Sequence, residues 1–135
     1  MAAETELLKL DEEVMDVLYE FYDAAEHLDI EQFTQMLDHS ENTSWIDVNG
    51  WFLVSWQVIY DSIKEFFKHY AELDNMEFER KQLIPLAKDI VFLSGIFSFS
   101  GIFDGQPITG SQSGAYIFVK KDDGWKIAHI LATTR

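Results

Sequence analysis

An α+β fold is predicted, with three helices first and a long antiparallel meander after them. Two observations predict it. Apolar residues recur at helical spacing as far as Tyr70, whereas from Met76 onward β-branched and aromatic residues dominate. Asp-Gly pairs at 104–105 and 123–124 then punctuate the second half as hairpin turns.

Val14, Val17, Leu18, Phe21, Ala25 and Leu28 fall on one helical face, which places a first helix over about residues 11–27. Asp29, with Gln32 three positions on, has the pattern of a capping box. It opens a short second helix with Ile30, Phe33, Met36 and Leu37 as its apolar side. His39 to Ser44 is polar turn chemistry, and Ser44–Val48 reads as a short strand. Ser55 caps a third helix, along which Trp56, Ile59, Tyr60, Ile63, Phe66, Phe67 and Tyr70 share one broad face. Strands are expected over 76–86, 89–103, 107–120 and 125–134. Such a sheet must curl around the helices to bury its apolar face. Ile117 and Val119 alternate with Tyr116 and Phe118, so that strand is apolar on both sides. A second cover is needed, and a homodimer through the outer face of the sheet is expected.

The 135 residues are read as one domain, 1–135, large enough to bury its own core. Eleven Phe, five Tyr and four Trp exceed what an ordinary core uses, and a ring-lined cavity or a subunit interface would absorb the surplus. The net charge is −14 and the basic residues are scattered, which argues against a nucleic-acid partner. There is no cysteine, which excludes disulfides and thiolate chemistry. No segment reads as a signal peptide or a membrane span, so a soluble cytoplasmic protein without a membrane partner is expected.

Asp47 is the residue to explain, because it stands among Trp45, Ile46 and Val48 with Trp51 just beyond the Asn49-Gly50 turn. Charged carboxylates are costly among large apolar groups. Two readings are open: a turn residue bonding its own backbone, or a general base at an apolar pocket. His129 lies on an apolar strand, either as a satisfied core histidine or as a proton shuttle. Trp45, Trp51 and Trp56 form a cluster that serves as core or as ligand walls, and Tyr19, Tyr22 or Tyr60 could aim a hydroxyl inward. Arg80 is read as a solvent-facing strand cation, or as a bidentate partner for a substrate carboxylate. The four histidines have no ligand spacing, and neither a metal nor a cofactor is expected.

The order of elements resembles the nuclear transport factor 2-like superfamily, which includes SnoaL-like proteins and ketosteroid isomerases. LDIEQFTQML, TSWIDVNG, FDGQPITG and DGWKIAHILATTR carry the resemblance, and together they span nearly the whole chain. It implies a cone-shaped α+β barrel of the cystatin-like type, with three helices packed in a strongly curved antiparallel sheet. It places Asp47, three residues before Gly50, at the position of a catalytic Asp, and aligns Phe21, next to Tyr22, with an oxyanion-hole Tyr. The second donor of that hole maps to Gly114 or to Tyr116. The face carrying Ile127, His129, Leu131 and Thr133 is implied to line the cavity.

The functional expectation is therefore a SnoaL-like protein binding a small apolar or aromatic molecule. Asp47 would act as base, with His129, Tyr22 and Tyr116 around the reacting oxygen. Trp45, Trp51, Trp56, Tyr60, Phe97, Phe99 and Leu131 are the candidate walls. Isomerisation, cyclisation, dehydration and hydrolysis all suit that set. The alternative is a non-catalytic ligand-binding or assembly module of the same fold.

Overall fold

The computed structural model describes residues 2–47 and 50–134. Val48 and Asn49, the expected strand end and turn residue, lie outside the described residues. Helix α1 runs Ala2–Glu26, well upstream of the expected start. The added turns, AETELLKL, are mostly good helix formers, and Leu10 packs against the core, so the helix extends N-terminally from its buried face. Val14, Leu18, Phe21 and Ala25 are buried, so the predicted face is the one that packs. The helix closes at Leu28, in the left-handed region at φ 54, with Asp29 N–H donating to Ala24 O and Leu28 N–H to Ala25 O.

Asp29 caps α2 (Ile30–Gln35), its side chain accepting from Gln32 N–H at 3.1 Å. Ser55 caps α3 (Trp56–Phe67) by accepting from Val58 N–H at 3.2 Å. Helix α3 stops before Tyr70, which opens a strand instead. Its buried line is Ile59, Ile63 and Phe67, a narrower face than the sequence suggested.

Among the described residues, six strands form one curved, unclosed sheet in the order β2-β1-β6-β5-β4-β3. They are β1 (Ser44–Ile46), β2 (Phe52–Val54), β3 (Tyr70–Ala87), β4 (Ile90–Phe103), β5 (Gln106–Lys121) and β6 (Gly124–Thr134). Strand β2 was not expected; it is three residues long and pairs only with β1. The sheet is antiparallel except for β1 and β6, which run parallel. Strand β3 begins six residues before the expected start, and bulges between Tyr70 and Glu72 and between Asp74 and Glu77 bend it. Asp104 and Gly105 both have positive φ, as a two-residue hairpin turn requires. The last hairpin turns on Asp122 and Asp123, with Gly124 at φ 115 just after them, one residue earlier than expected.

Two rows of paired residues cross all six strands. Leu83, Leu93, Tyr116, Ile130, Trp45 and Leu53 face the helices. Ile84, Phe92, Ile117, His129, Ser44 and Val54 form the adjacent row on the outer face. Among the described residues, no helix is long and apolar enough to cross a membrane.

Candidate functional site

A cavity of about 600 Å³ lies between the inner face of the sheet and the three helices. Helix α1 contributes Phe21 and Tyr22, α3 contributes Phe66 and Phe67, and β4 contributes Phe97, Phe99 and Phe103. Asp47, Trp45 and Trp51 close another side. Trp45 and Asp47 both reach the cavity because alternate residues of an extended segment share a side. Backbone bonds hold the turn between them and Trp51: Asp47 N–H donates to Trp51 O at 3.1 Å and Gly50 N–H to Asp47 O at 3.2 Å.

Tyr22 and Tyr116 supply the polar centre on the opposite elements. Their hydroxyls lie 2.8 Å apart, and both residues are buried. Burial pushes the Tyr22 phenol well above its ordinary value, and the neighbouring Tyr116 adds to that rise. Burial raises Tyr116 as well, with the bond from Tyr22 acting in the opposite direction. Both therefore stay protonated at neutral pH, and one donates to the other. The remaining hydroxyl proton is the one a ligand oxygen could accept. Gln112 comes inward from β5 opposite Phe97, and the exposed Thr109 and Ser111 belong to the rim.

Three expected site residues are elsewhere. His129 lies in the outer row, opposite Ile117, with Nδ1 2.8 Å from Ser44 Oγ. The cause is a bulge: Ile117 pairs with His129 and Phe118 with Ile127, which leaves Ala128 as the extra residue. One inserted residue reverses the alternation, so Ile127 and Ile130 turn inward and His129 turns outward. Trp56 stacks on His39 at 4.2 Å and Tyr60 bonds Glu31, both in a separate shallow depression between α2 and α3. Leu131 borders the cavity, yet its residue is 41% exposed because the same bulge turns its side chain outward. Arg80 is paired with Asp11 at 3.4 Å, so it does not enter the cavity.

Phe66, Tyr70 and Phe103 are lining residues that the sequence did not single out as walls. Phe66 and Tyr70 belong to the apolar run that the sequence assigns to the third helix and could have been found there, although Tyr70 itself opens β3. Phe103 could not, because its side depends on strand register. The rings pack edge to face in series: Trp45 on Trp51 at 5.8 Å, Trp51 on Phe66 at 4.9 Å and Phe66 on Tyr70 at 5.3 Å.

The SnoaL-like domain family matches residues 14–132. No curated protein matches the chain. Among solved structures, a nuclear transport factor 2-like superfamily protein from Salmonella enterica serovar Typhimurium superposes with a TM-score of 0.83 at 14% identity, over 95% of this chain and 92% of that one. A candidate dehydratase of the same family from Streptomyces avermitilis gives 0.77 at 15% identity, over 92% and 94%. A ketosteroid isomerase-like protein from Erwinia carotovora atroseptica gives 0.73 at 12% identity, over 89% and 92%. At these identities the likeness concerns the fold.

Proposed function

Since the chain belongs to the SnoaL-like domain family, which matches residues 14–132, we propose that it binds a small, ring-bearing apolar molecule in the cavity between sheet and helices and acts on it by proton transfer. The observation that carries this reading is that Asp47 and the Tyr22–Tyr116 pair line one apolar cavity. The Asp47 carboxylate takes a proton from a carbon next to a ketone. The C–H electron pair becomes the enolate π bond, and the carbonyl oxygen takes up the negative charge. A tyrosine hydroxyl donates to that oxygen, inside a site where few waters compete. Return of the proton to the same carbon gives exchange, and its return to a conjugated carbon gives isomerisation. His129 has no part in this scheme, because it is on the far side of the sheet.

The test is proton exchange of β-tetralone in heavy water, followed by NMR. The wild-type protein should accelerate loss of the α-proton signal, and Asp47→Asn should return the rate to that of buffer. Equal rates with wild type and variant would remove Asp47 from the chemistry.

A second reading, a homodimeric assembly module, draws on the outer face. Ile84, Phe92 and Ile117 lie side by side there with Ile96 and Val119 in the same outward register, an apolar belt on a sheet whose helices cover only the other side. The two readings are compatible, since the cavity and the belt are on opposite faces. A homodimer through this belt is part of the proposal.

A further inference from the structure

Strand β5 presents Gln112, Gly114 and Tyr116 to the cavity in succession, since alternate residues share a face and β5 pairs with β4 without a bulge. Gly114 therefore stands between two hydrogen-bonding side chains, and the floor there is bare. A Cβ on Gly95 would lie 2.7 Å from the Phe78 ring and one on Gly110 would lie 2.2 Å from the Phe99 ring, so rings already cover those glycines. On Gly114 nothing would come nearer than 3.6 Å. Tyr116 is tied to Tyr22, whereas the half-buried Gln112 amide hydrogen-bonds to none of the described residues. That amide offers two donors and an acceptor beside Phe97, its register partner on β4. A ligand group that both donates and accepts would satisfy it, and an apolar group placed there would leave it unpaired.

We infer that Gln112 sets the specificity of the cavity, and that the preferred ligand is a flat fused-ring ketone with a hydroxyl group at its far end. The ketone oxygen meets the Tyr22–Tyr116 pair, the rings cross Gly114, and the hydroxyl exchanges hydrogen bonds with the Gln112 amide. The inference rests on the cavity being a ligand site, as proposed above. The four steps from Gln112 to Tyr116 span about 13 Å of strand, and side chains stand roughly perpendicular to the sheet, so their tips keep that spacing. One hydrogen bond of about 3 Å at each end leaves about 7 Å between the ligand's own oxygens. Two fused six-membered rings substituted at opposite ends have that span. A single ring falls short of it.

Calorimetric titration with 6-hydroxy-β-tetralone and 6-methyl-β-tetralone tests this, because the two match in size and differ in hydrogen bonding. To the wild-type protein the hydroxy ketone should bind about ten-fold tighter, against the preference of an apolar cavity for a methyl group. Gln112→Leu should reverse the order and make the methyl ketone the tighter ligand. Gly114→Ala should weaken both by about three-fold or more, since its methyl group stands under the rings. Equal or weaker binding of the hydroxy ketone to the wild-type protein would overturn the role of Gln112 and leave the ligand site standing. That comparison needs no variant. A hydroxy preference that survives Gln112→Leu would also overturn it, and unchanged affinities in Gly114→Ala would overturn the seat over Gly114. If neither ketone binds, the ligand site and its specificity fall together.

Discussion

The hydroxyls of Tyr22 and Tyr116 meet at 2.8 Å, one coming from α1 and the other from β5, 94 positions apart in the chain. Both phenols have pKa values raised in the folded protein, chiefly by burial. The folded state therefore binds more protons than the unfolded state once pH passes the ordinary tyrosine value of 10.0. Stability that these groups hold in full below that pH is lost as pH rises towards their folded values. Thermal melts should show a steeper alkaline fall for wild type than for Tyr116→Phe. At neutral pH that variant should be destabilised by about 1–3 kcal/mol, because it leaves a buried Tyr22 hydroxyl without its partner.

Gly95 and Gly114 pair with each other across β4 and β5, yet they should respond differently to alanine. A Cβ on Gly95 would lie 2.2 Å from Glu79 O and 2.7 Å from the Phe78 ring. The first contact is backbone and cannot rotate away, so Gly95→Ala should cost about 1–3 kcal/mol or more. On Gly114 the nearest atom would be 3.6 Å away. Gly114→Ala should fall within about 0.5 kcal/mol of wild type in urea unfolding, while narrowing the cavity by a methyl group.

His129→Ala should leave α-proton exchange unchanged. The side chain is in the outer row, and the bond it loses there is the one to Ser44. A stability change of about 1 kcal/mol is expected. Loss of exchange activity in this variant would mean that Ala128 does not bulge in solution and that β6 pairs one residue out of the register described here.

Phe92→Glu places a charge in the middle of the outer apolar row, between Ile84 and Ile117. In light scattering the wild-type protein should give about twice the chain mass of 15.7 kDa, and the variant about the chain mass. A variant that keeps the far-UV circular dichroism of the wild type would show that the change acts on association and not on the fold. A wild-type protein that scatters as a monomer at micromolar concentration would remove the homodimer.

Local chemistry could be read from residues that stand next to one another. Asp29 and Ser55 cap the helices that follow them, and Asp104-Gly105 turns the long hairpin, since each needs only its own neighbours to form its bonds. The order of helices and strands follows from the same local signals. The approach of Asp47 to the cavity was one of two readings open in the sequence, and strand alternation with Trp45 carries it inward. What the sequence left undecided is which way longer-range pairings turn a side chain. One unpaired residue, Ala128, moves His129 from the cavity to the outer face, and nothing local in IAHIL marks that bulge. The packing of α2 against α3 likewise draws Trp56 to His39 and Tyr60 to Glu31, although their spacing matches that of the buried Ile59 and Ile63. Periodicity identifies a face. Only the neighbours that compete for it decide which of its residues are buried, which line a cavity and which remain at the surface.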